Sequence, residues 1–357
     1  MTTGLSQNGQ ITFRSATVSR KPFLEMVAKA RDEKRRLIVP LMGFPGLNLT
    51  GCSVKLAQQN YGEHFRVLKA IADTYHPDAV FPMMDLSVEA NAIGRYTVFP
   101  KEESATVVHD EFRTEDLAAA ERVNISFDAR LLGYVETMKL MNIGFPAGIL
   151  RGAYVTGPYT LAALLMGAEE AATSTVTRPG MLHEICSFAT GKIQQYFRLL
   201  VAAGAQIICV LEPSAVMLGP GQFEEFSGVY VSRLCESCSE TEVSTVYHVC
   251  GNSMHLVKAM ARSGVDALSL DSPEAGVDLS VVAERVPEDI ILIGNLNPTG
   301  SILHGKPDEV ERDVNDLLDK MKEHPNFVLS TGCDLPQEPP DENIRAFMRA
   351  GRRYVVN

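Results

Sequence analysis

The runs STVYHVC (residues 244–250), GVDALSLD (residues 264–271) and IILIGNLN (residues 290–297) decide the fold. Each is a short apolar stretch that contains β-branched residues, and each ends in polar side chains. Such runs, with helix-like segments between them, are typical of βα units that build a parallel sheet. The same pattern recurs earlier and later in the chain.

Counting every run of this kind gives eight predicted strands. They are Leu37 to Gly43, Ala79 to Asp85, Gly148 to Val155, Gln206 to Pro213, Ser244 to Cys250, Ala267 to Asp271, Ile290 to Asn297 and Phe327 to Cys333. Near-continuous apolar strands are covered on both faces, and eight of them with intervening helices match the (β/α)8 TIM barrel. The sequence predicts an α/β fold with one such barrel over residues 17–357, after a polar N-terminal tail at residues 1–16.

The segments between the strands have the apolar spacing of helices. They are residues 53–75, 115–141, 182–203, 223–238, 253–263 and 307–322. Two connections, residues 86–116 and 156–181, are longer than ordinary βα loops. We expect both to arch over the mouth of the barrel as long loops.

Composition excludes several classes of protein. With 45% hydrophobic and 22% charged residues, the chain has ordinary globular values, which excludes intrinsic disorder. A net charge of −11 argues against binding to nucleic acid. No apolar run reaches 18 residues and the polar first residues do not match a secretory signal, so we expect a cytoplasmic protein without a membrane span. The seven cysteines form an odd, scattered set, which favours free thiols, metal ligands or nucleophiles.

Acidic residues close several of the predicted strands. The chemistry of barrel enzymes lies at the C-terminal ends of their strands, where Asp85, Glu212 and Asp271 are expected. We predict that Asp85 and Glu212 line one cavity and recognise substrate. The alternative for either acid is that it caps a loop or pairs with an arginine.

The most specific pattern is His248-Val249-Cys250. Side chains two positions apart on a strand point to the same face, so this imidazole and thiolate are placed to bind one ion. Cys333 closes the eighth predicted strand, and a barrel would bring it to the same mouth as a third soft ligand. Three protein ligands with an open fourth position are typical of catalytic zinc. Taken alone, the two strand residues have another interpretation, a buried histidine beside an inert cysteine.

Seven segments together resemble the uroporphyrinogen decarboxylase superfamily, from about Lys21 to the C-terminus. They are AVFPMMDLSVEANAIG, VTGPYTLAALLMG, LEPSAVMLGPGQFEEF, TVYHVCGN, GVDALSLD, LIGNLNP and STGCDLPQEPPDENIRAF. Within the superfamily, the zinc-dependent corrinoid methyltransferases, typified by methylcobalamin:coenzyme M methyltransferases, are most similar. In that branch the pattern found here at His248, Cys250 and Cys333 ligates zinc.

The resemblance implies an enzyme that transfers a methyl group between a corrinoid and a small-molecule donor or acceptor. The corrinoid, such as methylcobalamin, would be carried by a separate corrinoid protein, since no D-x-H-x-x-G cobalamin motif occurs here. We expect a resting carboxylate, from Asp271 or Glu274, as a fourth zinc ligand that substrate displaces. The expected assembly is a monomer or a homodimer.

Two departures separate the chain from the decarboxylases that it resembles. Those enzymes carry a catalytic tyrosine where this chain has Leu164 and a histidine where it has Cys333, and their arginine-rich N-terminal loop has no counterpart after Arg36. Porphyrinogen decarboxylation is therefore disfavoured. A metal-free decarboxylase or lyase, or a non-catalytic barrel that binds a tetrapyrrole, remain the alternatives.

Overall fold

A parallel seven-stranded sheet forms the centre of the protein, whose computed structural model describes residues 21–108 and 114–356. The predicted tail at residues 1–16 lies outside these ranges. The strands of the sheet are β1 (Ala79–Val80), β4 (Leu150–Thr156), β5 (Ile207–Leu211), β6 (Ser244–Val249), β7 (Ala267–Leu270), β8 (Ile291–Leu296) and β9 (Phe327–Thr331). They lie side by side in this order, and every neighbouring pair is parallel. An antiparallel pair, β2 (Thr97–Val98) and β3 (Thr106–Val107), lies in the connection after β1.

Helices connect the strands, as expected for an α/β fold. The α-helices of the described residues are α1 (Pro22–Asp32), α2 (Gly46–Thr50), α3 (Val54–Gln59), α4 (Tyr61–Tyr75), α5 (Val88–Ala92), α6 (Thr114–Glu121), α7 (Ala129–Gly144), α8 (Pro158–Met166), α9 (Ala168–Thr177), α10 (Pro179–Ala203), α11 (Pro220–Phe223), α12 (Val229–Glu236), α13 (Val257–Arg262), α14 (Leu279–Ala283), α15 (Ser301–His304), α16 (Pro307–Lys320) and α17 (Asp341–Arg353). Short 3-10 turns span Ile125–Phe127, Pro213–Met217 and Pro273–Ala275, and a π-turn spans Glu224–Gly228. None of these helices is both long and apolar enough to cross a membrane.

The two faces of the sheet have separate apolar cores because side chains alternate between the faces of a strand. On one face, side chains from several strands of the sheet pack against one another and against α1, so that Val246 lies in the same cluster as Phe23 and Val328. The other face packs under the helices, where Tyr247 and Val249 belong to the larger cluster. His248 shares the face of Val246, the inner face of the sheet.

The first predicted strand, residues 37–43, is not a regular strand and forms only a bridge from Ile38 to Leu329 of β9. Pro40 has no N–H to donate to a neighbouring strand. The N–H of Ile38 donates to the carboxylate of Asp78 at 2.7 Å instead of to a backbone carbonyl. Among the described residues the sheet therefore has seven regular strands, and residues 37–43, predicted as an eighth, contribute a single bridge instead of a regular strand.

The two long connections also differ from the prediction. Residues 156–181 are mostly helical, since α8 and α9 fill this segment. Pro158 at the start of α8 and Pro179 at the start of α10 are the helix-start signals that mark these boundaries. The connection after β1 contains α5 and the β2–β3 pair, so it is only partly a loop.

Candidate metal centre

The end of β6 places His248 on the inner face of the sheet. In the register of the strands, Leu211 of β5 lies opposite His248, and His248 lies opposite Ser269 of β7. The imidazole is fully buried, and its Nδ1 lies 3.0 Å from the hydroxyl of Ser269. When Nδ1–H donates to this hydroxyl, the lone pair of Nε2 is left free to bind a metal.

Three soft donor atoms meet at this point. The Sγ of Cys250 lies 3.0 Å from Nε2 of His248 and 3.4 Å from the Sγ of Cys333, which lies 3.8 Å from the same Nε2. Among the described residues, these three side chains form the one group of His, Cys, Asp and Glu ligand atoms that fits around a single ion. We call His248, Cys250 and Cys333 the metal cluster.

Tight backbone packing brings Cys333 to the cluster. Its neighbour Gly332 donates its N–H to the carbonyl of Leu296 at 2.8 Å. A Cβ at Gly332 would lie 2.6 Å from the backbone N of Ser272, so this close approach of two loops requires glycine. The residue before Cys333 is thus fixed by the ends of β7 and β8.

The donor set fits zinc. The neighbouring thiol of Cys250 and burial both raise the pKa of Cys333 well above its ordinary value, so two adjacent thiolates need a cation to stabilise them. Two cysteines and one histidine would leave a fourth position open around a zinc ion, as in catalytic zinc sites, and Ser269 would supply the outer hydrogen bond that orients the histidine.

Asp271 and Glu274, the two candidates for the single fourth ligand, are not part of the metal cluster. Both oxygens of Asp271 accept backbone N–H groups, from Gly251 at 2.7 Å and from Ser272 at 2.6 Å. Asp271 therefore holds the turn that follows Cys250. Glu274 is exposed and lines a groove beside α16.

Asp85 lies buried in a network of donors. Its carboxylate accepts hydrogen bonds from the N–H and hydroxyl of Ser87, from the phenol of Tyr134 at 2.6 Å and from the guanidinium of Arg130. The Arg130 and Asp85 side chains are 9% and 1% exposed, so their ion pair is shielded from water. Pairing with an arginine is the alternative that the sequence left open for Asp85.

Glu212 does not lie beside Asp85. Since Leu211 points to the inner face with His248, the next residue points to the opposite, helix-covered face. Its carboxylate accepts the N–H groups of Tyr159 at 2.9 Å and Thr160 at 2.7 Å in the first turn of α8, and the hydroxyl of Ser227 at 2.6 Å. Burial raises the pKa of Glu212, and these donors oppose that rise. Glu212 thus caps the N-terminus of α8.

A small polar cavity follows the end of β1, with room for about one water molecule. Its polar lining residues are Asp85, Glu89, Tyr134, Tyr154 and Tyr196.

Sequence reasoning missed Glu89 and Tyr154 at this cavity, and also Asp334. Glu89 lies in the connection predicted as a long loop, where nothing in the sequence marks it as buried. Tyr154 lies within a predicted strand, where it has no feature that separates it from the apolar residues around it. Burial raises the pKa of Glu89 and that of Asp334 to about 7 each. Its position directly after Cys333 was the one signal in the sequence that pointed to Asp334.

The family model described as uroporphyrinogen decarboxylase (URO-D) matches residues 49–354. A uroporphyrinogen decarboxylase of Prochlorococcus marinus (strain MIT 9312) is 24% identical over 291 residues, which cover 79% of this chain and 81% of the relative. A methylcobamide:CoM methyltransferase, MtbA, of Methanosarcina mazei is 24% identical over 257 residues, which cover 71% of this chain and 73% of that protein.

Solved structures share the fold. A methyltransferase from Methanosarcina mazei superposes with a TM-score of 0.82 at 20% identity, over 92% of this chain and 98% of that chain. A B12-independent methionine synthase from Shewanella sp. W3-18-1 superposes with a TM-score of 0.54 at 12% identity, over 82% and 85%. The fold likeness agrees with the family match, which spans most of the sequence: the chain belongs to the uroporphyrinogen decarboxylase family.

Proposed function

We propose that this protein is a zinc-dependent methyltransferase, which moves a methyl group between a corrinoid on a separate corrinoid protein and a small molecule. The observation that carries the proposal is the meeting of one imidazole and two thiols in the metal cluster. A relative named as a methylcobamide:CoM methyltransferase supports the same chemistry. A methyl group that leaves cobalt, or returns to it, needs an activated partner.

The metal cluster provides that activation. Zinc held there would keep a substrate thiol as its thiolate, or polarise an oxygen or nitrogen leaving group. Ser269 holds the imidazole of His248 in place, and Asp271 holds the turn after Cys250. Both residues thereby orient the ligands instead of contacting the substrate.

We also infer that the sheet closes into a barrel around the metal cluster. Residues 37–39 exchange hydrogen bonds with Leu329 of β9 on one side, and the carbonyl of Ile38 accepts the N–H of Asp78 on the other. The segment thus fills the gap between β9 and β1 although it forms only one bridge. Closure would place the ends of all strands around one mouth.

Two measurements on the purified protein test the function. Metal analysis should find about one zinc per chain, bound by the three ligands of the metal cluster. Methylcobalamin, offered with a thiol such as coenzyme M, should lose its methyl group, which is followed by the change in corrinoid absorbance. A protein that binds no zinc and leaves methylcobalamin intact would contradict the proposal.

Uroporphyrinogen decarboxylation is the second candidate, because the family includes relatives of that name with similar identity. The thiol of Cys333 and the side chain of Leu164 speak against it, since the resembled decarboxylases have histidine and tyrosine there. Incubation of the metal-free protein with uroporphyrinogen, followed by separation of the products, distinguishes the two. Release of carbon dioxide without zinc would favour the decarboxylase.

A further inference from the structure

A buried carboxyl group in the small cavity after β1 has no part in the function described above. Glu89 in α5 is 1% exposed, and its two oxygens accept the N–H of Thr156 at 2.7 Å and the hydroxyl of Thr156 at 2.8 Å. Among the ion pairs of the described residues none includes Glu89, and the guanidinium of Arg130 pairs with Asp85, another acid of the same cavity. Burial raises the pKa of Glu89 to about 7, so this carboxyl group can change its protonation state near neutral pH.

Tyr154 lies on the same inner face of the sheet as His248 and also lines the cavity at Glu89. Its hydroxyl is buried and has no hydrogen-bond partner in the structure, although it lines the same cavity as Glu89. Burial is the main cause that raises the pKa of this phenol, and Asp334, Cys209, Cys333 and Cys250 raise it further. The phenol thus lies within electrostatic reach of the metal cluster and stays protonated at neutral pH.

A thiol that binds a metal as thiolate must lose a proton, because free thiols have a pKa near 8.5 or above. On the basis of the proposed function, we propose that Glu89 accepts this proton, and that Tyr154 and one water molecule in the cavity carry it there. The S–H bond breaks and sulfur keeps the electron pair. A new O–H bond forms at the carboxylate of Glu89, so no oxidant or reductant is needed.

The electrostatics of the cavity favour this transfer. A thiolate brings a negative charge into a buried site, and protonation of Glu89 removes one, so the net charge stays constant. Asp85 is the other acid that faces Glu89, and Arg130 neutralises it. The phenols of Tyr134 and Tyr196 are kept protonated by burial, which raises the pKa of each.

The number of protons released on thiol binding tests the inference. Titration calorimetry of the zinc-loaded protein with coenzyme M, and in parallel with 2-mercaptoethanol, is carried out in buffers that differ in ionisation enthalpy. Burial raises the pKa of Glu89 to about 7, and the negative charge of the incoming thiolate should raise it further. Wild type should then release about one proton per thiol below pH 6, where Glu89 already holds a proton, and well under one at pH 8, where Glu89 takes the proton up. Glu89→Gln should release about one proton at both pH values, and the exposed control Glu288→Gln should match wild type.

Thr156→Val provides a second variant that keeps the carboxyl group. Loss of the hydroxyl that donates to Glu89 raises the pKa of the carboxyl, so proton release should begin to fall at a higher pH than in wild type. Equal proton release from wild type and Glu89→Gln at pH 8 would overturn the inference and assign the proton to another group. Zinc binding without uptake of either thiol would overturn this inference alone, whereas absence of zinc would overturn the proposed function as well.

Discussion

Cys250 and Cys333 are 83 positions apart in the chain, yet their sulfur atoms lie 3.4 Å from each other. The two cysteines do not share a local sequence motif: Cys250 follows β6, and Cys333 follows β9. The parallel sheet brings the ends of these strands to the same side, and the close approach of Gly332 to Ser272 fixes the second cysteine. The approach of Cys333 to Cys250 is thus a property of the fold, whereas His248 and Cys250 are neighbours through their spacing on one strand.

The first prediction concerns the distant cysteine. Loss of a residue that only hydrogen-bonds to a metal ligand lowers the affinity for zinc by roughly 10–100-fold. Cys333→Ser should lower the affinity by more than this, because it removes a direct ligand. Zinc content after dialysis measures the loss, and circular dichroism should show an unchanged fold, since the apolar cores do not include the metal cluster.

Cys235→Ser is the matched control for this loss. Cys235 lies in α12 and contacts Thr245 instead of the metal cluster. It should keep the zinc content of wild type. Equal zinc content in both variants would mean that Cys333 is not a ligand.

The second prediction concerns the hydrogen bond that orients the histidine. Ser269→Ala removes the partner of Nδ1 in His248 and should weaken zinc binding about 10–100-fold without removing a ligand. Competition with a chromogenic chelator measures the affinity. Ser280→Ala, at the start of α14, is the control, and an effect of similar size there would contradict a specific role for Ser269.

Sequence reasoning identified the members of the metal cluster from three observations together: the period of two at His248 and Cys250, the strand end at Cys333, and the resemblance to the zinc-dependent branch. The same period places Glu212 on the face opposite to Leu211, and the register that pairs Leu211 with His248 shows that this is the helix-covered face. The contacts of Glu212 with the first turn of α8 were not readable from the sequence. The irregular geometry of the segment at Pro40 was less accessible, since it depends on the competing hydrogen bond from Ile38 to Asp78. No pattern in the sequence marks the contact of Glu89 with β4.

The third prediction concerns the buried ion pair. Asp85→Asn leaves the guanidinium of Arg130 without its counter-charge, so the free energy of unfolding should fall by about 3 kcal/mol. Denaturation in urea measures this change. Zinc content should remain that of wild type, because Asp85 is not part of the metal cluster, while its place in the cavity predicts a higher Michaelis constant or lower turnover.

Two further variants separate the ion pair from other effects of the substitution. Asp85→Asn combined with Arg130→Met removes both charges and should recover part of the lost stability. Asp73→Asn breaks an exposed pair with Lys69 and should change stability by less than about 1 kcal/mol. If the double variant lost more free energy of unfolding than the two single variants lose together, the broken ion pair would not be the cause of the destabilisation.

The fourth prediction concerns pH. Burial raises the pKa of Glu89 from 4.5 to about 7, so the folded protein holds this proton at pH values where the unfolded chain has lost it. Wild type should lose stability as the pH rises from about 4.5 to about 7, and the loss from one fully buried group is of the order of 3 kcal/mol. Glu89→Gln lacks this contribution.

The test is the difference in unfolding free energy between Glu89→Gln and wild type, which cancels the titration of all other groups. This difference should shift in favour of the variant between pH 4.5 and pH 7 and stay constant above pH 8. A difference that is independent of pH would show that Glu89 has an ordinary pKa in the folded protein.

The fifth prediction concerns the open position of the metal cluster. Asp271 uses both carboxylate oxygens for the N–H groups of Gly251 and Ser272, so the exposed Glu274 is the freer of the two expected carboxylates. Zinc K-edge absorption should show two sulfur and two oxygen or nitrogen neighbours in the resting protein. A hard oxygen is a weaker partner than sulfur for a thiolate-rich zinc, so saturating coenzyme M should give three sulfur neighbours. The resting spectrum of Glu274→Gln, compared with that of wild type, shows whether the oxygen neighbour of zinc is this carboxylate or a solvent molecule. If coenzyme M left the first coordination shell of zinc unchanged in wild type, direct binding of the thiol would be contradicted.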